Sequence, residues 1–385
     1  MVAAVRRGVP IRSVARQFRL GFSTVHRWVS RAQGERLDRV DWSDRPPGPR
    51  GQPANRISRH TEEEVLKLRR ELEQTSDLGE YGDVAIRREL VQRGHGQIPS
   101  VRTIGRILER RGALDGRQRV RRPPPPRGWY LPPVAAGKVE TDSVDIVAGL
   151  VIEGGIDVET LNAISLHGGL TASWPRSAIT AQVTALALIE HWLQIGLPGY
   201  AQFDNDTRFQ GAHQYPDNLG RVTRLCLSLQ VIPVFTPPRE TGFQAAIESY
   251  NGRWQAKVWR RFHYGSLQAL QDQSAKFVAA TRARAAERIL AAPLRQSFPQ
   301  PWRQNLQAHP AGQVIFLRRT NDHGQVRLLG RTFPVDPLWP HRLVRSEVDL
   351  DSNTIRFYAL RRRQPENQPL IAQIPYQLPP KPFQG

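Results

Sequence analysis

Four consecutive prolines at residues 123–126, framed by Arg121, Arg122 and Arg127, put into the chain a stretch that can be neither helix interior nor central strand. Each ring fixes φ and removes a backbone donor, so the run is extended at about 3.1 Å per residue. A second basic run, Arg-Pro-Pro-Gly-Pro-Arg at residues 45–50, does the same nearer the N-terminus. The 385 residues are thereby divided into two small N-terminal modules and a long C-terminal part. With 39% hydrophobic and 8% aromatic residues, each part can bury a core. No apolar run approaches the about 20 residues that span a bilayer, and no apolar segment follows Arg6 and Arg7, so a soluble intracellular protein without a membrane partner is expected. The single cysteine, Cys226, excludes an intrachain disulfide and the usual zinc-finger ligand sets.

The net charge of +20 is distributed unevenly. Residues 1–129 carry 28 basic and 15 acidic side chains, residues 130–250 carry 6 and 12, and residues 251–385 carry 21 and 8. Arginine dominates the excess, and its planar fork grips phosphate with two hydrogen bonds. Basic flanks point to nucleic acid, while an acidic centre suits divalent metal held against phosphate.

The first module reads as two helices. Ile11, Val14, Ala15 and Phe18 recur at helical spacing, Arg19-Leu20-Gly21 breaks the run, and Phe22, Val25, Trp28 and Val29 resume it. Thr24, Arg27 and Arg31 fall on the opposite face, of a width suited to a major groove. In the second module residues 85–93 form a helix, Gly94-His95-Gly96 breaks it, and Ser100 caps a helix that turns Val101, Ile104 and Leu108 inward. Arg102, Arg106 and Arg110 then line its outer face. Tandem helix-turn-helix modules joined by basic linkers, with Arg121 and Arg122 in the second linker, predict binding to double-stranded DNA.

The acidic block reads as three strands, helix, strand, helix, strand, helix. Asp142 lies within the first strand, Asp204 ends the fourth, and Glu248 sits in the helix after the fifth. Acids inside an apolar sheet repel one another unless cations separate them. Two Mg²⁺ (or Mn²⁺) ions, about 3.5–4 Å apart, would remove that penalty and serve an in-line phosphoryl displacement. Asp145, three residues after Asp142 and on the other face of the strand, is the alternative strand acid.

The strings Val139-Glu140-Thr141-Asp142, Phe203-Asp204-Asn205-Asp206-Thr207-Arg208-Phe209 and Ile247-Glu248-Ser249-Tyr250-Asn251 resemble the catalytic core of bacterial insertion-sequence transposases with a retroviral-integrase-type, RNase H-like fold. The resemblance implies that Asp142, Asp204 and Glu248 are the catalytic, metal-binding DDE residues, with Asn205 and Asn251 in support. It further implies transposon terminal inverted repeats and target DNA as partners, a homo-oligomer of at least two subunits, and a bacterial cytoplasmic, nucleoid-associated setting. Two departures stand out: Asp206 occupies a position where the family has Gly, and 43 residues lie between Asp204 and Glu248, more than the family's common spacing. The loop at residues 210–218 is the predicted site of the extra residues.

Downstream, Arg253 and Lys257 continue the Glu248 helix and are predicted to hold phosphate. Residues 311–363 alternate as short strands, and the resemblance implies a small all-β, SH3-like barrel. The expected organisation is a helix-turn-helix module at 1–44, a linker at 45–59, a second module at 60–116, a linker at 117–133, an RNase H-like α/β core at 134–265, a basic helical connector at 266–310, the barrel at 311–363 and a tail at 364–385. The predicted function is a DNA transposase. The alternatives are an inactive relative that only binds DNA as a regulator, and an RNase H-like nuclease without strand transfer.

Overall fold

The computed structural model describes residues 1–43, 57–76, 80–96, 98–114, 127–212, 214–362 and 364–383. Arg121, Arg122, His213 and Arg363 lie outside the described residues. Two compact units are present, Met1–His60 and Thr61–Gly385.

In the first unit α1 (Val2–Arg6), α2 (Ile11–Gln17) and α3 (Phe22–Arg31) enclose a small core of Val14, Ala15 and Val25, with Ile11 and Val29 against it. The turn between α2 and α3 is made by Arg19 at φ 52°, a left-handed conformation in which most side chains are strained. Its backbone N–H returns to the Arg16 carbonyl, and that of Leu20 to Ala15.

The second unit opens within α4 (Arg59–Thr75), whose first two residues fall in the first unit, and continues with α5 (Asp83–Gln92) and α6 (Val101–Arg110). Ser100 caps α6, accepting the Thr103 N–H at 3.2 Å, as its sequence position predicts. This second module is fastened to the α/β core. Arg261, from the short 3₁₀ turn Trp259–Arg261, donates to the carbonyls of Ser76, Glu73 and Gln74 at the C-terminal end of α4, so a cation neutralises the helix terminus. The expected linker at 117–133 also ends early. Trp129, Tyr130 and Leu131 are buried, ahead of α7 (Pro132–Ala135), because an aromatic stretch after the proline run finds apolar cover.

The α/β core has the order expected from the sequence: β1 (Thr141–Ile152), β2 (Ile156–Ser165), β3 (Thr171–Arg176), α8 (Ala181–Ile195), β4 (Tyr200–Phe203), the short α9 (Thr207–Gln210), α10 (Arg221–Ser228), β5 (Ile232–Phe235) and α11 (Ala245–Lys257). Strands β1, β2 and β3 are antiparallel, whereas β4 and β5 join β1 in parallel. One face of the sheet packs Val144, Leu161, Ala201 and Phe203 on Leu188 and Trp192 of α8 and Leu225 of α10. The other packs Val158 and Ile164 on Ile247, Tyr250 and Trp254 of α11.

Two further expectations, the connector and the barrel, are corrected. α12 (Leu267–Arg284), followed by α13 (Ala286–Leu290), buries Leu270 and Phe277 in the same cluster as Tyr250 and Trp254, so it is a core helix and not a connector. The C-terminal strands β6 (Gln313–Arg319), β7 (Gln325–Leu328), β8 (Arg331–Pro334), β9 (Leu343–Asp349), β10 (Thr354–Ala359) and β11 (Leu370–Pro375) do not close on themselves as a barrel. β6 pairs in parallel with β5, and the nine-stranded sheet runs β11-β10-β9-β6-β5-β4-β1-β2-β3, with β7 and β8 as a separate hairpin. The cause lies in Val314-Ile315-Phe316-Leu317, four successive buried apolar residues that need cover on both faces and so belong inside a sheet. The predicted tail likewise supplies the edge strand β11 and the buried Tyr376 and Leu378. Within the predicted insertion at 210–218, the end nearest α10 is tied down at Asp217. The buried Asp217 pairs with the exposed Arg331 at 2.6 Å and accepts the Tyr376 hydroxyl at 3.0 Å.

Candidate active site

Register decides which strand acid meets Asp204. Along the parallel β1–β4 pair, Thr141 lies beside Tyr200, Asp142 beside Ala201 and Ser143 beside Gln202. Past the last of these pairs, Asp145 continues the Ser143 face toward the end of β4, where Asp204 follows Phe203, and the Asp204 charge is felt at Asp145. Side chains alternate along a strand, so Thr141, Ser143 and Asp145 share the α11 face, while Asp142 and Val144 point to α8.

Asp142 is therefore not brought together with Asp204 and Glu248, and the sequence expectation for it is corrected. It is 1% exposed and lies against α8, where Trp192 donates to Oδ2 at 3.0 Å. Arg295 grips both carboxylate oxygens, Oδ2 at 3.0 Å. Burial alone would raise its pKa, but the Arg295 guanidinium outweighs this and holds the carboxyl below its ordinary range.

Asp145 occupies the place expected of Asp142. Asn251 donates to Asp145 Oδ2 at 2.7 Å and itself accepts from Asn162 Nδ2 at 2.8 Å. The chain Asn162–Asn251–Asp145 ties β2, α11 and β1 together. Burial and then the neighbouring Asp204 charge push the Asp145 carboxyl up to about 6, with Glu248 adding to the rise and the bonds from Ile146 N–H and Asn251 opposing it. Burial also raises the half-buried Asp204, whose Oδ1 accepts the Asp206 N–H at 2.9 Å. Glu248 lies exposed in the first turn of α11. Among the described residues no group of three or more His, Cys, Asp or Glu side chains is arranged to hold a metal ion. The donor set suits a hard divalent cation in kind, since Asp145, Asp204 and Glu248 offer only oxygen and the first two disfavour their own charges.

The expected supporting residues have distinct tasks. Asn205 donates to the Thr236 carbonyl at 2.7 Å and accepts from Arg318 at 2.7 Å, so it fastens the Asp204 turn to β5 and β6. Arg318 is fully buried and its pKa is pushed down to about 9 by desolvation. Asp206 caps α9 through the Arg208 N–H at 2.8 Å and pairs with the Arg208 guanidinium at 2.7 Å, which also reaches Glu159. His167 accompanies Val134 at 2.9 Å in a structural contact.

The proposed DNA contacts divide. Arg102 and Arg106 are exposed on α6, whereas Arg110 pairs with the buried Glu62 of α4. On α3, Arg27 is exposed with its guanidinium 5.5 Å from the Trp28 ring, and Thr24 is half-buried. Arg31 is engaged within its own unit by Asp41 at 2.9 Å and the Ser43 carbonyl at 2.8 Å, so it does not line the outer face as expected. Arg253 lies over Tyr250 and Lys257 over Tyr81, at 5.9 and 5.3 Å. No site role is legible in the sequence for Arg295, Arg318 or Asn162: Arg318 reads only as a basic strand end, and Asn162 as a break between strands where β2 in fact continues. Their partners are about 90 to 150 residues distant, and no local periodicity marks such pairs.

No protein-family model and no curated protein matches the chain. Among solved structures, the HTLV-2 integrase catalytic core domain in complex with magnesium is 12% identical with a TM-score of 0.26, covering 36% of this chain and 82% of that one. The catalytic core domain of BIV integrase is 16% identical at 0.26, covering 36% and 81%. The simian T-cell lymphotropic virus intasome in complex with PP2A regulatory subunit B56 gamma is 11% identical at 0.30, covering 71% and 88%.

Proposed function

We propose that this chain is a metal-dependent polynucleotidyl transferase acting on double-stranded DNA, a transposase of the DDE type, with Asp145, Asp204 and Glu248 as its acids. The observation that carries the reading is that Asp145 of β1 lies near Asp204, at the end of the parallel neighbour β4, and is bonded by Asn251 of the helix that bears Glu248, with its pKa raised by burial and then by the charges of both other acids. Asp145 and Asp204 would hold the ion, with Glu248 as third ligand. Bound Mg²⁺ or Mn²⁺ supplies charge neutralisation and Lewis acidity at phosphate. Asn251 holds Asp145 in one rotamer, and Asn205, gripped by Arg318, holds the turn after Asp204. Arg253, on the same helix as Glu248, presents a cation to the strand. The strand order β3-β2-β1-β4-β5 supports the RNase H-like reading of the core, and α2–α3 and α5–α6 supply helix pairs for end binding. Pairing two DNA ends calls for at least two subunits in the reacting complex.

A second reading, DNA binding without chemistry, is favoured by one observation, the exposed Glu248 outside any closed acid set. Incubation with Mg²⁺, the flanking terminal repeats and a target plasmid distinguishes the readings. Joined products that disappear in Asp145→Asn, Asp204→Asn and Glu248→Gln support the transferase. Binding without cutting in the wild type overturns it, and cutting without joining assigns a nuclease.

A further inference from the structure

On the sheet face that carries Asp145 and Asp204, the strands run back from the acids into a cavity of about 240 Å³. Thr141 and Ser143 of β1 and Gln202 of β4 line it, and Arg127, Arg253 and Arg288 border it. Thr141 and Ser143 are 1% and 3% exposed, yet neither hydroxyl meets a hydrogen-bond partner. Unsatisfied buried hydroxyls are rare in folded proteins and mark a missing partner. Gln202 differs, since its Nε2 donates to the Phe243 carbonyl at 2.7 Å and its Oε1 accepts the Tyr130 hydroxyl.

Among the described residues none of the three arginines takes part in a salt bridge: Arg288 donates to the backbone carbonyls of Leu166 and His167, and Arg253 lies over the Tyr250 ring. The nearby carboxylate of Glu140 is committed to the N–H groups of Thr141, His167 and Gly168. Burial, followed by the charges of Arg127 and Arg253, holds Arg288 below its ordinary pKa, against the pull of Glu140. The first turn of the 13-residue α11 closes the remaining side through Ala245 and Ala246, and Gln244 gives it no side-chain cap. A helix N-terminus adds partial positive charge to those cations.

We propose that this cavity is a phosphate-binding subsite for the DNA strand whose neighbouring phosphodiester lies at Asp145 and Asp204. It rests on the function proposed above and adds to it where the strand is held. Ser143 and Asp145, two residues apart on one strand face, are about 6.6 Å apart along β1. A DNA strand carries one phosphate per about 3.4 Å of axis. The pocket therefore takes a phosphate one or two nucleotides from the reacting one, with the Thr141 and Ser143 hydroxyls and the arginines donating to its oxygens.

The test reads binding alone, in the absence of divalent metal, with the full-length chain. A labelled duplex of the flanking terminal repeat is prepared with single phosphates near its end replaced by uncharged methylphosphonates, and affinity is followed by fluorescence anisotropy. At one position the replacement is expected to weaken wild-type binding about tenfold. The same replacement should change little in the double variant Thr141→Val, Ser143→Ala, or in Arg127→Ala, an exposed position that guards against a folding defect. Equal losses in wild type and variants at every position overturn the proposal. If instead inorganic phosphate or dTMP raises the melting temperature of the wild type alone, with no coupled position in the DNA, the pocket belongs to a free nucleotide and the strand assignment is overturned. Because no chemistry is measured, failure of the acid site would show separately, as unchanged joining by Asp145→Asn.

Discussion

The carboxylate of Asp142 sits between the Trp192 indole and the Arg295 guanidinium, with almost no contact with solvent. Removing its charge leaves Arg295 buried without a counter-ion, and breaking a buried pair in this way costs about 3–5 kcal/mol. Asp142→Asn is therefore expected to lower the thermal unfolding midpoint markedly, whereas Asp145→Asn abolishes joining at unchanged or raised stability; calorimetry beside the joining assay separates them. Between pH 6.5 and 4, His191 of α8 and Asp145 respond with opposite sign. Burial holds His191 down to about 4, so between pH 6.5 and 4 the unfolded chain takes a proton that the folded chain refuses, and stability is lost as pH falls. Asp145, raised to about 6, does the reverse: between pH 6 and its ordinary 3.8 the folded state takes the proton first, and stability is gained as pH falls. The two offset each other in the wild type. Denaturant midpoints of Asp145→Asn are expected to fall more steeply than those of wild type from pH 6.5 to 4; parallel curves would contradict the raised carboxyl. Both Asp142 and Asp145 are legible in the sequence as acids of opposite strand faces, and the motif match favoured the former. What separates them is Arg295, 153 residues from Asp142, which no strand pattern announces.

At the scale of elements, the core order was readable because each strand and helix keeps one period. The three-strand start, the existence of α8 and the apolar side of α11 all come from local pattern, although α8 begins at Ala181 under a Thr180 cap and not at Ser177. The C-terminal strands were readable as strands but not as members of the core sheet, because alternation says which residues pair and not with whom. Val314-Ile315-Phe316-Leu317 held the one available clue, an unbroken apolar run. Phe316 stacks on Phe235 of β5 at 5.2 Å between ring centroids, so β6 covers the strand beside β4. Phe316→Ala is expected to destabilise the chain by about 3–5 kcal/mol in urea unfolding. A chain ending at residue 310, which a detached barrel would tolerate, is expected to be insoluble, since β5 would become a bare apolar edge. Soluble, cooperatively folding material from that truncation would restore the detached-barrel arrangement.

Over the whole molecule, the charge of +20 resolves into parts with different physical effects. Part of the basic excess is spent internally: Arg31 on Asp41, Arg110 on Glu62, Arg261 on the carbonyls of α4, Arg331 on Asp217. A cation already paired with a carboxylate releases fewer counter-ions from DNA, and each phosphate contact contributes about −0.9 to the slope of log affinity against log salt concentration. Arg102→Ala and Arg106→Ala are each expected to reduce the magnitude of that slope by about 1, measured by anisotropy over a salt titration. Arg110→Ala should leave the slope nearly unchanged and lower the unfolding midpoint instead, because it strips the buried Glu62 of its partner. In the first unit Arg31, held by Asp41, is likewise expected to change the slope little. A slope that falls equally for Arg102, Arg106 and Arg110 would mean that the Glu62 pair opens on DNA, and that α6 presents all three arginines to the strand as the sequence pattern alone suggests.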